Sequence, residues 1–230
     1  MPPTDDPEPS TAAERSGTAV DLRDVVSVLG GFPVLAGVTI SVERGEIVLL
    51  QGPNGAGMTS LLRVCAGLLP VARGEGSVLG FDLRAEGEEV RARVGMLGHR
   101  NGLYGDLTAH ENVAFWGSLV GATDAEAEAA IERLGLGGRL ADTPVHKMSA
   151  GQKRRTALAC MAARRAELWL PDEPPAGLDA DGRDELAAML RQAVGAGAPV
   201  LVASHEVERA GALADRIVGV AGGVVGGWAP

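Results

Sequence analysis

The stretch Gly52-Pro53-Asn54-Gly55-Ala56-Gly57-Met58-Thr59-Ser60 follows the apolar run Ile47 to Leu50 and precedes Leu61, Leu62, Val64, Cys65 and Leu68, which are spaced as on one helix face. A buried strand, a glycine-rich loop and a helix in immediate succession match the form G-x-x-x-x-G-K-[ST]. In that form backbone N–H groups and the helix N-terminus hold phosphate oxygens, and the last hydroxyl ligates Mg2+. Gly52, Gly57 and Thr59 stand at required positions, and Pro53, Asn54, Gly55 and Ala56 fill the variable ones. Met58 replaces the lysine. Methionine keeps lysine's reach but brings neither charge nor donor. A hydrogen bond to a charged group contributes about 1.5–3 kcal/mol, a factor of about ten to more than a hundred in affinity. Phosphate binding is therefore expected to survive in weakened form. Phosphoryl transfer is expected to suffer more, because charge must also be stabilised in its transition state.

Working outward, strand character covers Ala19 to Val25, Gly37 to Glu43 and Glu46 to Gln51, with Arg44-Gly45 as a turn. The helix after the loop is expected to stop at Leu69-Pro70. A second helix is predicted from Thr108 to Gly121, with Thr108 as N-cap and Glu111 completing a capping box. A third spans Asp124 to Leu134. Strand and helix then alternate: Glu167 to Leu170, Asp179 to Val194, Pro199 to Ala203. This alternation predicts an α/β protein with a mostly parallel sheet and helices on its faces. No repeat at a solenoid period is visible.

The 230 residues are 46% hydrophobic, ample for a packed core. A net charge of −9 gives no basic footprint and argues against a nucleic-acid partner. Cys65 and Cys160, both in apolar surroundings, read as core thiols in a reducing compartment rather than as a disulfide. The N-terminal MPPTDDPEPSTAAERSG has no positive region followed by an apolar stretch, so residues 1–18 read as a disordered tail rather than a secretory signal. The apolar run from Ile217 is too short and glycine-rich to cross a bilayer.

A second chemical motif is Glu167-Leu168-Trp169-Leu170-Pro171-Asp172-Glu173, an apolar strand ending in two carboxylates, the form of a Walker B strand. Asp172 is expected to hold Mg2+ through water and Glu173 to polarise an attacking water. Pro171 departs from the pattern, since proline is disfavoured in a central strand, and disturbed geometry is expected there. Between the two motifs lies Met148-Ser149-Ala150-Gly151-Gln152-Lys153-Arg154-Arg155, a small-residue turn opening an Ala- and Leu-rich helix with a basic face. Such a turn presents N–H groups and a positive dipole to a phosphate.

This order of motifs, from roughly residue 19 onward, resembles the ATP-binding subunits of ABC transporters, whose LSGGQ signature stands here as MSAGQ. The resemblance implies ATP and Mg2+ as ligands and a P-loop cassette with an antiparallel β portion and a helical subdomain at roughly 100–165. It also implies a head-to-tail homodimer or heterodimer in which Ser149, Gly151 and Gln152 of one subunit meet the ATP of the other. An integral membrane transporter subunit and a peripheral position on the cytoplasmic face of the membrane are implied as well. Ala176-Gly177-Leu178-Asp179 looks like the D-loop, and Ser204-His205-Glu206 like the switch loop, with His205 at the γ-phosphate. Leu29 stands where many members stack adenine on an aromatic ring, leaving Phe32 as a substitute.

The stretch GHRNGLYGDLTAHENVAFW, with His99 where the family's Q-loop glutamine belongs, resembles the ATP-binding subunits of the heme exporters of cytochrome c maturation. His99 is then expected at the metal and at the contact with the membrane subunit. Two functions follow: an energising subunit that binds and hydrolyses ATP for export, or, given Met58 and Pro171, a regulatory subunit that closes on ATP with little turnover. A soluble cassette acting on DNA or ribosomes is disfavoured by the chain's length and acidity.

Overall fold

In the computed structural model, residues 17–205 and 211–226 are described; most of the predicted tail, and Glu206, lie outside them. Near-alternating burial runs through β1 (Thr18–Leu29) and β2 (Phe32–Glu43), which pair antiparallel across a Gly30-Gly31 turn. Both strands extend beyond the short runs expected from sequence, because their hairpin ends, Val28, Leu29 and Phe32, are apolar but exposed and carry no alternation signal. β3 (Ile47–Gln51) follows, buried at every position, and leads through the glycine loop into α1 (Met58–Cys65). That helix ends earlier than expected. Gly67, at φ 66°, donates to Val64 O at 2.9 Å and Leu68 N–H to Arg63 O at 2.8 Å, which is a Schellman cap. Leu68, counted with the helix's apolar face, is consequently exposed.

β4 (Arg73–Val78) and β5 (Phe81–Asp82) complete a four-stranded antiparallel sheet of order β2-β1-β4-β5. After α2 (Gly87–Arg93), β6 (Val94–Leu97) enters a second sheet. α3 (Ala109–Ser118), α4 (Asp124–Arg133) and α5 (Ala150–Ala163) follow. The capping box of Thr108 and Glu111 forms as predicted at the start of α3. β7 (Leu168–Pro171), α6 (Ala180–Gly195), β8 (Val200–Ala203), β9 (Arg216–Ala221) and β10 (Val224–Gly226) close the chain. The second sheet runs β10-β9-β3-β8-β7-β6, parallel except for the edge strand β10.

The continuous apolar runs of β3, β7 and β8 are explained by two cores, one on each face of this sheet. Val48, Leu50, Leu168, Leu170, Leu201 and Ala203 face α1 and the antiparallel sheet. Ile47, Leu49, Trp169, Val200 and Val202 face the core built with α3 to α6. Neither face meets water, so no polar alternation is needed. Cys65 and Cys160 lie free in these cores, and burial pushes both thiols up to about 12, the behaviour of core residues rather than reactive ones. The apolar run at Ile217 belongs to β9, and no helix among the described residues is long and apolar enough to cross a membrane.

Pro171 does sit inside a central strand. On the β8 side, Trp169 N–H donates to Pro199 O at 3.0 Å and Glu173 N–H to Ala203 O at 2.9 Å. Pro171 stands midway between them and omits one ladder bond, while the bonds on either side are made. Asp172 N–H also reaches Leu97 O of β6 at 2.8 Å. The disturbance expected at Pro171 therefore stops at a single missing donor, short of the carboxylates.

Candidate functional site

The glycine loop is held close to its neighbours by the absence of side chains. A Cβ on Gly52 would lie 2.1 Å from Val220 O of β9, so any larger residue would displace the loop. Gly57, the N-cap of α1, takes φ 109°, and its Cβ would crowd Val34 O at 3.1 Å. No side chain caps α1. The first-turn N–H groups, which have no partner within a helix, are thus presented to the space in front of the loop.

Thr59, one residue into α1, donates its hydroxyl to Asp172 Oδ2 at 2.8 Å, joining the loop to the end of β7. Asp172 is buried. The next residue, Glu173, has φ 47°, a left-handed conformation costing a non-glycine residue of order 1–3 kcal/mol unless its surroundings impose it. Arg154 of α5 imposes it. Buried, its guanidinium donates to Asp172 O at 2.9 Å, Glu173 O at 2.7 Å and Pro174 O at 3.2 Å, and also to Gly98 O at 2.9 Å and Asn101 Oδ1 at 3.1 Å. Burial lowers the Arg154 pKa, an effect the Asp172 and Glu173 charges oppose. The Glu173 carboxylate accepts from Ser204 Oγ at 3.1 Å and His205 N–H at 3.0 Å, and its Oε1 lies 2.7 Å from His205 Nδ1.

These groups converge on a cleft of about 680 Å3 at the carboxyl ends of the parallel strands. Met58, Thr59, His99, Asp172, Glu173 and His205 all line it, as do Asn54 to Gly57 and Ser60. Gly52 lies beneath, against β9. Met58 is part of the cleft wall and also packs against the first core. His99 reaches the cleft from the loop after β6. Among the described residues, no three His, Cys, Asp or Glu side chains are grouped to hold a metal ion, and His99 shares the cleft wall with Asp172 and Glu173.

Ser149, Gly151 and Gln152 do not line this cleft. Ser149 caps α5, its hydroxyl accepting from Gln152 N–H at 3.2 Å while Gln152 Oε1 accepts from Ser149 N–H at 2.9 Å. Gly151 packs so closely on the D-loop that a Cβ would lie 2.9 Å from Gly177 O. Asp179 caps α6 through Gly182 N–H and is paired with Arg155; these contacts hold its carboxyl below the usual range. Leu29 and Phe32 are exposed at the hairpin, and the cleft wall begins at Pro33 and Val34.

Two residues with organising contacts escaped the sequence reading. Arg154 belongs by sequence to a basic face with Lys153 and Arg155, and its burial follows only from partners distant in the chain. Asn112, fully buried in α3, accepts from Tyr104 N–H at 2.9 Å and donates to Tyr104 O at 3.1 Å and Thr108 O at 2.9 Å. It fastens the loop that carries His99 toward α3.

Comparison with known proteins agrees with this geometry. The family model described as "ABC transporter" matches residues 35–176. The chain is 40% identical, over 81% of its length and 89% of the relative, to the cytochrome c biogenesis ATP-binding export protein CcmA 2 of Cupriavidus metallidurans. It is 38% identical to the CcmA protein of Chelativorans sp., over 76% of this chain and 86% of that one. Among solved structures, an ATP-binding subunit of an ABC transporter superposes with a TM-score of 0.83 at 27% identity, covering 90% of this chain and 88% of that one. A dimeric ATP-binding cassette bound to ADP and phosphate superposes with a TM-score of 0.82 at 24% identity, covering 90% and 96%. With a glycine loop, a Thr59–Asp172 junction and a Glu173–His205 pair lining one cleft, the chain belongs to the ABC transporter family as one of its ATP-binding subunits.

Proposed function

We propose that this subunit binds ATP in the cleft between Met58 and His205 and drives export through an integral membrane partner, in the service of cytochrome c biogenesis and heme export. The convergence of the uncapped α1 N-terminus, Thr59, Asp172, Glu173 and His205 on one cleft carries the reading. The export assignment draws on the CcmA relatives. With no described helix able to cross a membrane, the subunit would sit peripherally at the cytoplasmic face.

Gly52 to Ser60 would hold the phosphates through N–H groups. Thr59 and Asp172 present two hard oxygens 2.8 Å apart, a donor set suited to Mg2+ completed by water and nucleotide phosphates. When bound, that ion would neutralise charge on the transferred phosphoryl group. Glu173 would accept the proton of the attacking water, held by Ser204 and His205, and His205 would turn from Glu173 to the γ-phosphate. Ser149, Gly151 and Gln152, remote from their own chain's cleft, would complete the site of a second subunit head to tail. The helices between residues 100 and 165 would form the surface that meets the membrane partner, with His99 at the junction.

A second reading, capture of ATP with little turnover, is favoured by Met58, which leaves the cleft without a lysine. Phosphate release by the complex with its membrane partner, for the natural chain and for Met58→Lys, separates the two. Equal rates would sink the regulatory reading; turnover in the variant alone would sink the energising one.

A further inference from the structure

The charges lining the cleft are unusual for a site that receives a polyanion. Among the described residues it has two carboxylates, Asp172 and Glu173, two histidines, His99 and His205, and no lysine or arginine. The chain contains only two lysines, Lys147 and Lys153, both flanking the start of α5 and neither lining the cleft. The guanidinium beneath the site, Arg154, is committed to the carbonyls of Asp172, Glu173, Pro174 and Gly98. His205 is directed at Glu173. What the described residues lining the cleft offer the phosphates is the partial positive charge of the α1 N-terminus and its N–H groups. This is opposed by two nearby negative charges.

We infer that Met58 makes nucleotide capture by this subunit strictly dependent on a divalent cation, so that nucleotide and metal enter the cleft as one unit. The inference rests on the ATP-binding reading above and concerns what Met58 adds to it. A lysine at this position supplies a permanent charge that lets phosphates settle beside Asp172 and Glu173 before or without metal. With methionine there, no side chain among the described residues lining the cleft carries a permanent positive charge, and without the ion the phosphates face the carboxylates directly. A charged hydrogen bond changes affinity by a factor of about ten to more than a hundred, and close like charges act against binding as well.

Equilibrium binding of ATP to the full chain, measured by calorimetry in Mg2+ and then in EDTA, tests this directly. The natural chain is expected to lose about a hundredfold or more in affinity on removal of the metal. Met58→Lys is expected to lose about tenfold or less, whereas Met58→Gln, which adds a donor but no charge, should behave as the natural chain does. Unchanged affinity of the natural chain in EDTA overturns the inference and leaves the ATP-binding reading standing. Restoration of metal-free binding by Met58→Gln overturns the charge argument. Absence of ATP binding in Mg2+ by every form removes the ATP-binding reading itself, and the inference with it.

Discussion

Two of the chain's departures from its family's pattern lie near one another, Met58 in the glycine loop and Pro171 in β7, and the fold absorbs only one of them. Pro171 removes a backbone donor within a ladder whose flanking bonds, Trp169 to Pro199 and Glu173 to Ala203, remain. Arg154 then holds the following turn from the other side. Met58 removes a side-chain charge from the wall of an open cleft, and among the described residues no lysine or arginine lining it takes its place. A missing hydrogen bond in a cooperative ladder is a local loss, whereas a missing charge is felt by everything that enters the cleft.

The largest expected effect breaks the chemistry common to both regions. In a Met58→Lys background, Glu173→Gln should lower ATP turnover about 10²–10⁴-fold, the usual contribution of a general base, with ATP affinity little changed. Phosphate release and calorimetry on the same preparation check both halves. Arg154→Ala tests whether the β7 side tolerates Pro171 because of the clamp. Removing a guanidinium that satisfies several buried carbonyls should cost about 3 kcal/mol in denaturant unfolding, and Arg154→Lys should recover only part of it.

Next in size, Met58→Lys should tighten ATP binding in Mg2+ by about ten- to a hundredfold, some 1.5–3 kcal/mol. An unchanged dissociation constant would mean that the cleft already has a compensating cation. Smallest is Pro171→Val. The restored ladder bond contributes about 0.5–1.5 kcal/mol, and the lost stiffness of proline in the unfolded chain offsets about 0.4–1 kcal/mol. Unfolding free energy should therefore move by no more than about 1 kcal/mol, and a larger change in either direction would show that Pro171 strains the site.

Much of the site was legible before the fold was known because its parts are local. Strand, glycine loop and helix are contiguous, the paired carboxylates end an apolar run, and the Thr108–Glu111 capping box closes within four residues. What escaped depends on partners far along the chain. Arg154 reaches residues about 20 positions ahead and more than 50 positions behind, so its burial left no periodic trace. Asn112 looks like an ordinary polar helix residue because its partners are backbone groups, which any sequence supplies. The end of α1 was misplaced because Leu68 fits the helical spacing while Gly67 turns the chain away.

The sequence by itself determined the order of the motifs, the α/β alternation, the family resemblance and the substitution at Met58, since all are read from neighbouring residues whose chemistry does not depend on context. Only the tertiary structure decided that Thr59 meets Asp172, that Pro171 leaves the carboxylates undisturbed, and that no lysine or arginine among the described residues takes the place of the missing one. Those are questions of distance between residues remote in the chain, and distances of that kind are set by packing. The glycine loop is legible as a local motif despite Met58, but its charge balance belongs to the whole cleft.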